Sequence, residues 1–168
     1  VKTVGHNTFP YVQQYVDQIL TVEDDELIGA FLDMVENHKM IVENSGLLTV
    51  AALKQLDLTG KKVVAILSGG NIDVQTLSII IEKGLLKSHR KMIINVTLID
   101  KPGALMALGD VLRSTGANIV KIDYDRFSTK LSYGDAKITI TLETKGKEHQ
   151  DTIEKALKDA GYEFTQEF

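Results

Sequence analysis

Apolar positions recur along this chain with two different periods. From Glu23, EDDELIGAFLDMVENHK sets Leu27, Phe31, Met34 and Val35 at helical spacing behind a run of acids. It predicts a helix of about four turns, its first turn complemented by Glu23, Asp24, Asp25 and Glu26. VENSG interrupts the pattern, and LLTVAALKQL predicts a second helix with Leu48, Ala51, Ala52 and Leu56 on one face. TGKK then turns into VVAILSGG, an apolar run without alternation, the mark of a strand covered on both sides. VQTLSIIIEKGLL predicts a third helix, with Asp73 as its cap. Helix, helix, strand, helix reads as one edge of a doubly wound α/β sheet, and only a part of one.

LLKSHRK, residues 85–91, is charged and aperiodic, and a domain boundary is expected there, between residues 1–86 and 90–168. Beyond it MIINVTLID alternates with Met92, Ile94, Val96 and Leu98 on one face, and GALMALGDVLRST returns to helical spacing through Leu105, Leu108, Val111 and Leu112. NIVKIDYDRF is strand-like, AKITITLE alternates strictly, DTIEKALKDAG is a helix ended by Gly161, and YEFTQEF suits a last strand. The order is βαββαβ over about 75 residues, the ferredoxin-like arrangement, with both helices on one side of an antiparallel sheet. The other face, or an edge strand, is expected to pair with a second copy.

Composition removes several classes of function. A net charge of −4 without a basic stripe argues against nucleic acid or an anionic membrane surface as a partner. There is no cysteine, and the four histidines, His6, His38, His89 and His149, have no metal-ligand spacing and sit in polar contexts that suggest the surface. No apolar run reaches the roughly 20 residues of a membrane span, as expected of a soluble protein, and the lack of cysteine points to a cytoplasmic one. The first residue is Val1, as expected of a trimmed chain or a piece of a longer one.

Two stretches carry candidate chemistry. In DKPGAL, Pro102 and Gly103 make a tight turn, and the helix that follows offers unpaired amides that suit a carboxylate. The βαββαβ order, DxPGxL at the first turn and GANI at the start of the second strand together resemble the ACT domain, a regulatory module that binds a free amino acid. The resemblance covers about Arg90 to Phe164 and implies an effector site with Asp100, Pro102, Gly103, Ala104 and Leu105 on one side and Asn118 with Ile119 on the other, between paired domains.

The second stretch, VVAILSGGNID, resembles the C-terminal strand and turn of fold-type II pyridoxal-phosphate enzymes, the group of threonine ammonia-lyase, serine dehydratase and serine racemase. VKTVGHNTF, ILTVEDDEL and VENSGLLTVAAL resemble threonine ammonia-lyase segments in the same order. The resemblance implies that Ser68 faces the cofactor's pyridine nitrogen, that Gly69, Gly70 and Asn71 border the ring, and that Glu43 lies near it. Asn44 and Leu47 depart from the family pattern. The Schiff-base lysine and the tetraglycine phosphate loop of such enzymes do not occur in these 168 residues, so no catalytic residue is assigned. The whole resembles the C-terminal part of a threonine ammonia-lyase, converting L-threonine to 2-oxobutanoate and ammonia, with an ACT domain for isoleucine or valine. A non-catalytic amino-acid-binding and dimerisation module, or part of a serine dehydratase or racemase, is the alternative.

Overall fold

The computed structural model describes residues 3–128 and 131–167. The chain divides into two compact units, the first ending at Leu77 and the second beginning at Ser78.

The first unit is helical. A short helix, α1 (Phe9–Tyr15), carries Pro10 in its first turn, and α2 (Asp24–Asp33) begins with a reciprocal cap in which the Glu23 amide donates to Glu26 Oε2 at 3.0 Å. A wider turn, Met34–His38, prolongs α2 and ends at Lys39 in the left-handed conformation. Helix α3 (Asn44–Ala52) packs on α2, and Ala30, Phe31, Met34, Val42, Leu47 and Ala51 form the small core between them. The face expected of α3 is displaced by one residue. Leu47 is fully buried, whereas Leu48 and Leu56 are exposed, because adjacent leucines leave the phase of an apolar stripe open.

The strand expected at 63–70 does not form: the run pairs with no strand among the described residues. Val64 and Ile66 are 89% and 71% exposed. A strand exists only through a neighbour's ladder, and here the segment meets helix α3 instead, where the Thr49 hydroxyl donates to the Ile66 carbonyl at 2.8 Å.

The boundary expected at residues 86–90 also differs. Helix α4 (Val74–Lys87) contains the division between the units, and its later part belongs with the second. The link to the next strand is no loose spacer. His89 takes a left-handed backbone at φ 56°, and its carbonyl accepts the Thr144 hydroxyl at 2.6 Å and the Gly146 amide at 3.1 Å.

The second unit follows the expected order: β1 (Lys91–Ile99), α5 (Ala104–Ser114), β2 (Asn118–Asp125), β3 (Asp135–Glu143), α6 (Lys147–Asp159) and β4 (Phe164–Glu167). The strands lie in the order β2-β3-β1-β4, antiparallel throughout, the ferredoxin-like topology. Alternation, strict on β3 and broken on β1 only by buried Asn95, turns Met92, Ile94, Val96 and Leu98, with Ala136, Ile138, Ile140 and Leu142, toward Leu108 and Leu112 of α5 and Ile153 and Leu157 of α6. Each such leucine or isoleucine contributes about 1.5–3 kcal/mol by leaving water. The outer face is mostly polar, as in a sheet solvated on one side. On it Asn95 accepts the Thr139 hydroxyl at 2.6 Å and donates to Glu167 at 2.7 Å. One edge of the sheet, β2, is open. A bulge at Val120 sets Ile119 opposite Leu142 and Lys121 opposite Thr141.

Candidate functional site

Each unit holds one candidate site. In the first, the start of α3 and the turn after residue 67 are pressed together. A methyl on Gly46 would come within 1.7 Å of the Ser68 carbonyl oxygen, so only glycine admits this approach. Gly69 has φ +80°, and a Cβ there would lie 2.5 Å from the Glu43 carboxyl. Glu43, half-buried at the head of α3, accepts the Ser45 hydroxyl and the Asn71 amide, the latter at 3.0 Å, while its own amide donates to the Gly69 carbonyl at 3.4 Å. The carboxylate thus grips the turn.

Ser68 is exposed, its hydroxyl bonded to no side chain or backbone group among the described residues, and beside it a Cβ on Gly70 would meet nothing closer than 3.9 Å. A cavity of about 310 Å3 adjoins the turn, lined by Glu43, Ser45, Asn71 and Asp73 among others. Asp73 caps α4 as expected, accepting the Thr76 hydroxyl at 2.5 Å and amide at 2.8 Å. These bonds hold its carboxyl below the usual value. All five residues expected at the cofactor, Glu43, Ser68, Gly69, Gly70 and Asn71, are brought together, and Gly46, which the sequence did not single out, is what lets them meet.

In the second unit the turn residues and the start of β2 are not brought together within one chain. Asp100 accepts the Tyr124 hydroxyl at 2.8 Å and pairs with Arg126 at 3.1 Å. The Arg126 guanidinium also lies 5.3 Å from the centre of the Tyr124 ring. With Lys101, Pro102, Gly103, Leu105 and Met106 these residues line a cavity of about 500 Å3. Gly103, at φ +86°, precedes α5, whose geometry leaves the amides of Leu105 and Met106 without intrahelical acceptors.

Asn118 stands at the other end of β2. It lies opposite Glu143, to which its amide donates at 2.7 Å, whereas Tyr124 lies opposite Ile138. Six residue steps along the strand separate the two, about 20 Å. Ile119 and Ala104 pack against the core, and neither lines the cavity beside Asp100. Tyr124 and Arg126 were missed in the sequence because their bonds to Asp100 arise from strand pairing, not from local spacing. Two histidines read as surface residues are half-buried and engaged: His89 Nδ1 meets Gln150 Oε1 at 3.1 Å, and His149 accepts the Lys145 amide at 3.1 Å and donates from Nε2 to the Thr115 carbonyl at 2.9 Å.

The chain is 42% identical to the L-threonine ammonia-lyase of Thermotoga maritima over 164 residues, 97% of its own length and 41% of that protein. It is 41% identical to the L-threonine ammonia-lyase of Geobacter sulfurreducens over 165 residues, 96% of the chain and again 41% of the relative. The biosynthetic L-threonine dehydratase of Escherichia coli is 28% identical over 171 residues, with 96% and 31% covered. The chain therefore spans about two fifths of the first two relatives. No protein-family model matches it. Among solved structures, prephenate dehydratase from Streptococcus mutans overlaps 45% of the chain and 40% of its own at 22% identity and a TM-score of 0.39, too slight a likeness to add to the strand order. By the extent and level of these identities, the chain belongs to the L-threonine ammonia-lyase family, matching a segment of its members and not their whole length.

Proposed function

We propose that this chain is the C-terminal portion of an L-threonine ammonia-lyase, which converts L-threonine to 2-oxobutanoate and ammonia, and that it supplies one wall of the cofactor site together with an ACT effector module. The observation that carries the first half is the exposed Ser68 hydroxyl on a glycine turn clamped by Glu43. That donor set fits the ring edge of pyridoxal phosphate: a hydroxyl that donates to an unprotonated pyridine nitrogen without imposing a proton on it, and an open flank at Gly70 for a flat ring. When bound, the cofactor supplies the electron sink for loss of the α-proton and the β-hydroxyl. Ser68 orients and tunes the ring nitrogen, and Glu43 holds the turn. The cofactor's lysine and phosphate loop belong to other parts of such enzymes, and this chain alone is expected to have no turnover.

The effector reading rests on the separation of the two half-sites. An open β2 edge, with the Asp100 turn at one end and Asn118 at the other, supports a site completed by a second copy in antiparallel pairing. Asn118 of one copy then faces the other's turn, where an amino acid such as isoleucine or valine is held. Coupling to the cofactor site is reciprocal: an effector that favours one state binds it more tightly by the same factor.

Kinetics of the complete enzyme carrying Ser68→Ala test the reading. We expect kcat to fall about tenfold or more, at least about 1.4 kcal/mol of barrier. An unchanged kcat would remove Ser68 from the cofactor site.

A further inference from the structure

Two half-buried histidines flank the connection between β3 and α6, and their bonds set opposite responses to a second proton. His149 Nδ1 accepts the Lys145 amide at 3.1 Å, and its Nε2 donates to the Thr115 carbonyl at 2.9 Å. This arrangement needs a neutral ring with its one proton on Nε2. His89 is the reverse case. Its Nδ1 meets Gln150 Oε1 at 3.1 Å, while Gln150 Nε2 donates to the Lys91 carbonyl and the Thr144 hydroxyl, so His89 Nδ1 is the donor. A second proton on His89 enters at Nε2 and leaves that bond intact. On His149 it enters at Nδ1 and points a donor at the Lys145 N–H.

The connection that His149 grips also fixes the joint between α4 and β1. On one side of Lys145 the Thr144 amide donates to the Arg90 carbonyl at 2.9 Å and the Thr144 hydroxyl to the His89 carbonyl at 2.6 Å. On the other, the Gly146 amide donates to the same His89 carbonyl at 3.1 Å. These bonds hold His89 at φ 56°, a backbone uncommon for a residue with a side chain.

The charged groups around the His149 ring have their own engagements. In the cleft beside it Glu82 of α4 pairs with Lys91 of β1, Glu143 of β3 accepts from Asn118, and Arg90 and Lys145 complete the charged lining. On α5, Arg113 pairs with Asp110; on α6, Lys147 pairs with Asp151, and Glu148 precedes the ring. Among the described residues no carboxylate bonds the ring, so a proton on Nδ1 finds no acceptor in place. The Thr115 bond survives, because Nε2 still donates and a cation suits the C-terminal end of α5. The ring stays seated while the Lys145 amide is released.

We propose that His149 is a pH-sensitive latch on the joint between α4 and β1: the neutral ring holds the connection at 144–146, and the doubly protonated ring lets it go. Neither the cofactor reading nor the effector reading uses this histidine, and the latch stands whether or not they hold.

Heteronuclear NMR of this chain between about pH 8 and about pH 5, the span over which histidines change charge, tests the assignment. We expect the neutral His149 ring to carry its proton on Nε2 alone. The Lys145 amide shift should follow the ring through its titration, with exchange protection of that amide falling about tenfold. His149→Asn places an oxygen that does not titrate near the position of Nδ1 and should keep the Lys145 amide protected at both ends of the range. Should that variant fold poorly, the wild-type titration still decides. A neutral ring protonated on Nδ1, a Lys145 amide indifferent to the ring's titration, or a pH response that persists in His149→Asn would overturn the proposal.

Discussion

The Glu43 carboxylate accepts the Asn71 amide at 3.0 Å from 28 residues away and fills the space that a side chain on Gly69 would need. One carboxylate therefore holds the turn that presents Ser68. A hydrogen bond to a charged acceptor contributes about 1.5 kcal/mol, so Glu43→Ala should speed exchange of the Asn71 amide about tenfold. Exchange by NMR at unchanged overall fold checks this; an unaltered rate would mean that the clamp carries no weight.

Gly46→Ala drives a methyl toward the Ser68 carbonyl oxygen at 1.7 Å, a distance no contact tolerates. Either α3 or the 66–70 segment must move, at about 3 kcal/mol or more. Denaturant unfolding should show that loss. Stability within about 0.5 kcal/mol of wild type would contradict the close approach.

Buried Gln150 is a polar node of the second unit. It is 1% exposed, donates to the Lys91 carbonyl at 3.1 Å and the Thr144 hydroxyl at 3.3 Å, and accepts from His89. Gln150→Ala strands these partners and opens a cavity, at about 3 kcal/mol. Thermal and denaturant melts should show it, whereas His38→Ala, at an exposed site, should change little.

The cap on α4 carries a pH dependence of definite sign. Thr76, first through its hydroxyl and then its amide, lowers the Asp73 carboxyl from its usual 3.8. A depressed carboxyl lends stability in full above its unfolded value and loses it as pH falls through the folded one. The Thr76 amide shift, followed by NMR, should titrate with a midpoint below 3.8, and Asp73→Asn should abolish the step. A midpoint at or above that value would break the account of the cap.

How much of this was legible in the sequence follows from which interactions are local. AKITITLE alternates strictly, and β3 buries the expected side chains; DKPGAL makes the expected turn. Asp73 caps α4 because a cap needs only its next three residues. The run at 63–70 was read as a strand from its composition, but strands are made by partners. The boundary near residue 86 was read from charge, yet that stretch is fixed by His89 and Arg90 carbonyls meeting Thr144 and Gly146, more than fifty residues away. Similarly, no spacing rule links Asp100 to Tyr124 and Arg126; sheet register does. The two effector half-sites are expected on either side of a ligand between paired domains, and the distance between them along one chain's β2 emerges only from the register.

That separation is the central claim, and a mixing experiment tests it most directly. Asp100→Ala with Pro102→Ala damages the turn in one chain, and Asn118→Ala damages the strand in another. Each alone should bind no branched-chain amino acid in a calorimetric titration. If the site joins two copies, equal mixing regenerates one intact site in each mixed pair, and about a quarter of the wild-type stoichiometry should return. A mixture as inert as its components, while the unmutated chain binds, would place the site within a single copy and contradict the account.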